Sequence, residues 1–255
     1  MTTKTKHRLI KDITQGSLQS AYLNAPFDEG LDVLQRKGYD LITLQQEAQL
    51  RIDKGPIAVI SRYGNWVLED VLYIPKRKPL LTRMSPIAKN PIEATQAHRE
   101  GRDFYLTDKQ VDECLARDYV ELTQEEIPTN RFNEHAVTQF AFGKHAKNYG
   151  NFLREFGIKK MPMWLADIQD KPFARKMWLW RLDYGSVLDG NDRYLYGGNF
   201  RVRGVRLESD EAAAQNNFPK EVKVEAYMPQ QISEVLKKLN ISGLEESILS
   251  ELRNQ

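Results

Sequence analysis

Two stretches near the start of the chain carry apolar residues at helical spacing. From Asp28, Leu31 and Leu34 fall on one face, with Asp28 as expected N-cap and Gly38 as stop. Residues 43–52 place Leu44, Ala48 and Ile52 together, and Thr43 with Gln46 forms a capping-box pattern. The residues up to position 27 are mixed and polar, with Leu9, Ile10 and Ile13 as their apolar cluster. Residues 56–75 carry strand formers (Ile57, Val59, Ile60, then Trp66, Leu68, Val71, Leu72, Tyr73) on either side of Tyr63-Gly64-Asn65, which predicts a hairpin with Trp66 in the core. Residues 79–102, punctuated by Pro86 and Pro91, are expected to be mostly irregular.

Further on, Phe104-Tyr105-Leu106 predicts a strand, and Thr107 with Gln110 caps a helix whose inner face holds Val111, Cys114 and Leu115. Cys114 therefore reads as a small core hydrophobe, since it lies mid-helix with no adjacent cation to form a thiolate. Residues 121–129 are an acidic, extended link. The strongest helix signal spans 133–156, where Phe142, Tyr149, Phe152, Leu153 and Phe156 form a stripe, Gly157 caps the end, and Gly143 and Gly150 are points of interruption. Residues 161–165 read as a strand. Past Leu207, Val222, Val224 and Ala226 alternate like a strand. Helices are expected after Pro229 and, from a second capping box, after Ser242. The chain thus reads as a main α+β domain over 1–207, with N-terminal and inserted helices, and a helical appendage over 208–255 that packs on it or mediates assembly.

Composition narrows the function classes. Hydrophobic residues at 41% and charged residues at 28% suit a packed globular chain, and a net charge of +2 gives no ground for nucleic-acid binding. Lys76-Arg77-Lys78 is read as a solvated loop rather than an anion site. The single cysteine excludes an intramolecular disulfide, which suits a reducing compartment or an assembled particle. No signal-peptide h-region and no membrane-length apolar run is seen, so the expectation is a soluble, cytoplasmic or virion-associated protein without membrane insertion.

The stretch 178–207 departs from the rest. Trp178, Trp180 and Leu182 lead into eighteen residues, 183–200, with no Lys, Glu, Gln, Met or Trp, although those five types supply 63 of the 255 residues. Tyr184, Tyr194, Tyr196 and Phe200 are interleaved with Asp183, Asp189, Asp192, Gly197 and Gly198. Tyr gives rigid amphipathic contact area, and Gly, Ser and Asn give adaptable polar contacts, a composition suited to recognition. The same residues also build ordinary turns. The segment closes on Arg201-Val202-Arg203-Gly204-Val205-Arg206, where an alternating strand puts Arg201 and Arg203 on one face. Such arginines suit forked hydrogen bonds to carboxylates and carbonyls.

This combination resembles the C-terminal end of a C-type lectin-like domain of the formylglycine-generating-enzyme-like branch. Within that branch it resembles the variable region of target proteins of diversity-generating retroelements, of archaeal or viral setting. In that family adenines of a template repeat rich in AAY (Asn) codons are altered, and changes at the first two bases cannot yield Lys, Glu, Gln, Met or Trp. The resemblance implies that Asp183, Tyr184, Asp189, Asp192, Tyr194, Tyr196, Gly197, Gly198 and Phe200 are varied ligand-binding positions. Asn191 and Asn199 would be unaltered codons. Trp178, Trp180, Arg201, Arg203 and Arg206 would be scaffold, with Leu182, Leu188 and Leu195.

Catalysis finds little support. The histidines His7, His98, His135 and His145 show no zinc spacing, Ser186 lacks a G-x-S-x-G elbow, and one cysteine cannot supply the thiol chemistry of the formylglycine-generating relatives. Asp189-Gly190-Asn191-Asp192 has the oxygen-rich look of a calcium loop without its later Glu, and a turn is the plainer reading. The expectation is a non-enzymatic display protein, without metal or cofactor, that binds a protein or cell-surface ligand and is compatible with homo-oligomers. The alternatives are a structural or assembly protein of a virus or mobile element and, behind it, a cofactor-dependent enzyme on the same fold.

Overall fold

The N-terminal segment and the closing arginine strand lie in one sheet, joined through the second strand of the chain. The computed structural model describes residues 7–15, 18–192 and 194–207, all within Met1–Glu208, one of two compact units of the chain. The appendage expected over 208–255, with its strand and helices, lies outside the described residues. The polar opening forms a hairpin, β1 (Ile10–Gln15) and β2 (Leu18–Asn24). Next come α1 (Phe27–Arg36), β3 (Asp40–Leu41) and α2 (Leu44–Lys54). The capping box on α2 forms as expected, Thr43 accepting from the Gln46 amide. Helix α1 starts one residue before Asp28, after Pro26, without a side-chain cap.

Residues 56–75 form no hairpin. They fold as a short helix, α3 (Val59–Arg62), and one long strand, β4 (Asn65–Tyr73). Gly64 is not a hairpin turn. A Cβ there would lie 2.4 Å from the Trp178 ring, so glycine lets the chain pass that indole. The stretch expected to be irregular holds β5 (Leu80–Thr82), α4 (Pro86–Lys89) and α5 (Pro91–Arg99). Pro86 and Pro91 open these helices, where a missing N–H costs nothing. Then follow β6 (Phe104–Tyr105), α6 (Asp108–Leu115) with its Thr107–Gln110 capping box, β7 (Tyr119–Glu121) and β8 (Glu126–Pro128). Cys114 is buried on α6, as its helical position implies, and burial raises its thiol pKa to about 11. The long helix expected over 133–156 is two, α7 (Ala136–Phe142) and α8 (Ala146–Glu155), broken where Gly143 adopts φ +53°. The described residues end with β9 (Lys160–Trp164), β10 (Phe173–Leu179), β11 (Leu188–Asp189) and β12 (Arg201–Leu207).

The main strand order is β1-β2-β12-β4-β10-β11-β9-β8. Strand β12 runs antiparallel to β2 from Arg201↔Asn24 to Leu207↔Leu18, and touches β4 in parallel at Val202↔Trp66. Side-chain alternation along β4 divides the core. Val67, Val71 and Tyr73 join one apolar cluster with residues of α2, α7 and α8. Trp66 and Leu72 join another with α1, α4, α5 and α6. Because both faces are covered, β10 is buried at every position, with Lys176 and Arg175 among its apolar residues.

Two buried basic groups are paired with carboxylates. Lys176 Nζ donates to Asp70 Oδ1 (2.6 Å), Leu68 O (2.7 Å) and Ser85 Oγ (2.9 Å). Arg203 donates as a fork to both carboxylate oxygens of Asp12 (2.8 Å each) and to Ser20 Oγ, tying β12 to the N-terminal hairpin. Removing one partner of such a pair strands the other, so Arg203→Met is expected to cost about 3–5 kcal/mol in urea unfolding. The double change Asp12→Ala with Arg203→Met should recover part of that loss.

Glu69 on β4 accepts from the Leu44 amide at the start of α2, and burial holds its pKa up at about 7. Its folded pKa lies above the unfolded value, so the native state holds the proton more tightly. Stability from this residue is present below the unfolded pKa of 4.5 and declines as pH rises toward 7. Glu69→Gln should flatten the pH dependence of the melting temperature across that window, and an unchanged slope would refute this account.

Candidate ligand-binding surface

The segment after β10 turns sharply because its backbone is held from outside. Trp180 N donates to Val187 O (3.0 Å), closing the base of a loop whose tip is a 3-10 turn, Leu182–Tyr184. Gly185 and Ser186 follow with φ of +84° and +55°. The fully buried guanidinium of Arg51, from α2, fills the inside of this loop. It donates to Trp180 O (2.8 Å), Ser186 Oγ (3.2 Å) and Tyr149 Oη (3.2 Å), and to its ion-pair partner Glu47 (2.6 Å). Further along, Gly190 N donates to Trp164 O and Tyr73 Oη donates to Gly190 O, both at 2.9 Å. Phe27 N donates to Leu195 O (2.7 Å), and Ala25 N to Phe200 O (3.2 Å), which delivers the chain into β12.

Against this frame the expected ligand positions separate. Asp183, Tyr184, Tyr194, Tyr196 and Gly198 are exposed, and Asp192 and Gly197 are half-buried. Asp189 is not a surface contact: it is 5% exposed, with Oδ2 accepting from Trp180 Nε1 (2.9 Å) and Oδ1 from Asn191 N (2.8 Å). Burial raises its pKa. The oxygen-rich run 189–192 is thus a turn whose first carboxylate is spent on the protein itself. Phe200 is half-buried, in edge contact with Trp178 (5.2 Å) and stacked with Tyr194 (6.0 Å). A Cβ on Gly197 would meet the Phe200 ring at 2.5 Å, so these two positions are coupled.

The scaffold residues also divide. Trp178 and Arg203 are buried; Arg201 stacks on Tyr63 (3.5 Å to the ring centre) and Tyr22; Arg206 donates to Gln19. Trp180 is half-buried at the surface, its ring 6.2 Å from Trp164 and 4.8 Å from Tyr184.

Asp192, Tyr194 and Tyr196 line an open cavity of about 730 Å³ together with Trp164, Arg175 and Trp180. Asp183 instead borders a separate cavity of about 500 Å³ with Tyr63 and Phe156. Trp164 and Arg175 had no local sequence signal, because β9 and β10 are brought beside 190–196 by the sheet order alone. Among the described residues no group of three or more His, Cys, Asp and Glu is arranged to hold a metal ion, and no helix is long and apolar enough to cross a membrane.

Replacing Asp189 by Ala removes the acceptor that fixes both Trp180 and the 189–192 turn. It should lower stability by about 1–3 kcal/mol, whereas Asp183→Ala should stay within about 0.5 kcal/mol of the parent. Equal effects in thermal or urea unfolding would contradict this division.

No protein-family model and no curated protein matches the chain. Among solved structures it is similar to one described as the accommodation of massive sequence variation in Nanoarchaeota by the C-type lectin fold. The match covers 77% of this chain and 100% of that one, with a TM-score of 0.57 and 16% identity. The chain has a C-type lectin fold.

Proposed function

We propose that the protein is a non-enzymatic display protein whose surface over residues 183–200 recognises a variable protein or cell-surface target. In this reading it is a variable protein of a diversity-generating retroelement, of the formylglycine-generating-enzyme-like branch. One observation carries the proposal. The backbone of 183–200 is held largely by groups outside it: Tyr73, Arg175, Trp164 O, and the amides of Ala25 and Phe27, while Arg51 holds the Ser186 hydroxyl. Apolar positions of the segment point inward, with Leu188 and Leu195 at 0% exposure, while Tyr184 and Tyr194 stand about half exposed, at 49% and 54%. Exposed side chains in such a frame can change without changing the fold, and rigid aromatic groups among small polar ones make an effective contact surface.

Two further facts support the reading. The segment lacks the five residue types that alteration of AAY codons cannot produce, and the nanoarchaeal neighbour of the same fold is described as accommodating massive sequence variation. The buried placement of Asp189 and the Gly197–Phe200 coupling narrow the freely variable set to Asp183, Tyr184, Asp192, Tyr194, Tyr196 and Gly198.

The test has a genetic and a physical arm. The DNA beside the gene should hold a near-repeat of the codons for 178–206, with Asn codons at the varied positions and a reverse transcriptase close by. Tyr194→Ala with Tyr196→Ala should leave unfolding within about 1 kcal/mol of the parent, as for exposed side chains. Unfolding of that variant, or absence of the repeat, would return the segment to an ordinary loop.

A further inference from the structure

The loop joining β4 to β5 carries Lys76-Arg77-Lys78, a run whose sequence alone reads as solvated. In the structure all three are exposed, and they line an open cavity of about 630 Å³. Two other loops complete it, residues 122–124 after β7 and 165–168 after β9. Their backbones are held in place. Leu122 N donates to Pro79 O (2.7 Å), Leu165 N to Gln124 Oε1 (3.3 Å) and Ala166 N to Tyr73 Oη (3.1 Å). Leu122 and Ala166 are buried, Leu165 is half-buried, and Ile168 is 43% exposed. The lining therefore combines three cations with a group of apolar side chains.

Packing does not account for the basic run. The side chains of Lys76 and Arg77 make no hydrogen bond or ion pair among the described residues, and Lys78 has a loose, exposed pair with Glu121 (3.7 Å). Lys76 also adopts φ +62°, in the tight turn closed by Arg77 N donating to Ile74 O (3.1 Å). Glycine takes that left-handed conformation without a steric penalty, and lysine does not. A strained residue whose exposed side chain supports no packing points to a use outside the fold. Three cations select an anionic partner, and the other lining groups restrict its kind. No lining residue has an aromatic ring on which a base could stack, and the exposed Asp167 carboxylate opposes a continuous phosphate backbone. An acidic peptide segment satisfies the whole lining. Its carboxylates meet Lys76, Arg77 and Lys78, an apolar side chain covers Leu165 and Ile168, and a backbone N–H donates to Asp167.

We infer that this cavity is a docking site for an acidic segment of a partner protein, one with an apolar residue among its carboxylates. The inference goes beyond the display reading and does not depend on it. No lining residue lies within 183–200, so the contact stays the same whatever side chains that segment carries. It gives the protein a constant attachment, separate from the surface that recognises a target.

Fluorescence anisotropy on the full chain, with a fluorescein-labelled peptide Asp-Glu-Asp-Leu-Glu-Asp-Glu, tests this. The peptide should bind with a dissociation constant on the order of 10–100 μM, and about tenfold more weakly at roughly 300 mM salt than at roughly 50 mM. Putting Asn and Gln in place of its carboxylates should abolish binding, and Ser in place of its Leu should weaken it about fivefold. Ile168→Ser should weaken the Leu peptide and leave the Ser peptide unchanged, which locates the apolar contact. Lys76→Gly separates binding from folding. It should weaken binding about fivefold while the melting temperature stays level or rises, because the turn loses its strain. Tyr194→Ala with Tyr196→Ala should leave binding unchanged. No binding of the acidic peptide, equal binding of its neutral counterpart, or unchanged binding by a folded Lys76→Gly variant would each overturn the inference. So would tighter binding of duplex DNA or of phosphatidylserine vesicles, or loss of peptide binding in a folded tyrosine-pair variant.

Discussion

The guanidinium of Arg51 is the constraint on which the upper part of the molecule depends. It is completely buried, and the partners of its two terminal nitrogens come from distant parts of the chain. Glu47 lies one turn away on α2, Tyr149 on α8, and Trp180 and Ser186 at the two ends of the loop after β10. Glu47 also accepts from Asn65 on β4, which accepts from Arg203 on β12, which forks onto Asp12. One polar chain therefore runs through a largely apolar interior, from the N-terminal hairpin to the loop after β10. Each link is a directional bond between buried or part-buried groups, so the chain fixes geometry as well as charge balance.

This arrangement explains how a segment of unusual composition stays ordered. A loop built from Gly, Asp, Asn and Tyr lacks the apolar mass to pack itself. Here its order comes from carbonyls and amides that bond to the surrounding frame, and from a few inward leucines. Asp189 is the instructive exception: a carboxylate within the segment that holds Trp180 and its own turn. Such a position ties sequence to fold, while Tyr194 and Tyr196, with exposed rings, do not. The cavity beside them is lined by Trp164 of β9 and Arg175 of β10 as well as by Tyr194 and Tyr196.

Local chemistry was legible in the sequence wherever a short stretch decides its own shape. The capping boxes at Thr43 and Thr107 formed because their bonds close within three residues. Cys114 and Trp66 are buried because helix periodicity and strand propensity place them inward. Errors arose where a local signal has two uses. Gly64 looks like a turn residue yet is needed to pass the Trp178 ring, and prolines taken as marks of irregular chain instead open α4 and α5. Gly143 and Gly150 looked equivalent. One breaks the helix with a positive φ, while the other stays helical and lets the chain approach closely, since a Cβ there would sit 2.2 Å from Thr129 O.

The sequence by itself determined that the chain has an α+β core, and that 178–207 comprises a Trp-anchored strand, a stretch lacking five residue types and an arginine-rich closing strand. Those are properties of composition and short-range spacing. Only the tertiary structure decided that Glu47 and Arg51 face inward, that Asp189 is buried and structural while Asp183, Tyr184, Tyr194 and Tyr196 are exposed, and that Trp164 and Arg175 share a cavity with Tyr194. The physical reason is the sheet order: β12 is inserted between β2 and β4, and β11 between β10 and β9, so residues up to about 190 positions apart become hydrogen-bonded neighbours. Pairings of that sequence separation leave no periodic trace in the chain, and burial converts them from surface charges into obligatory partners.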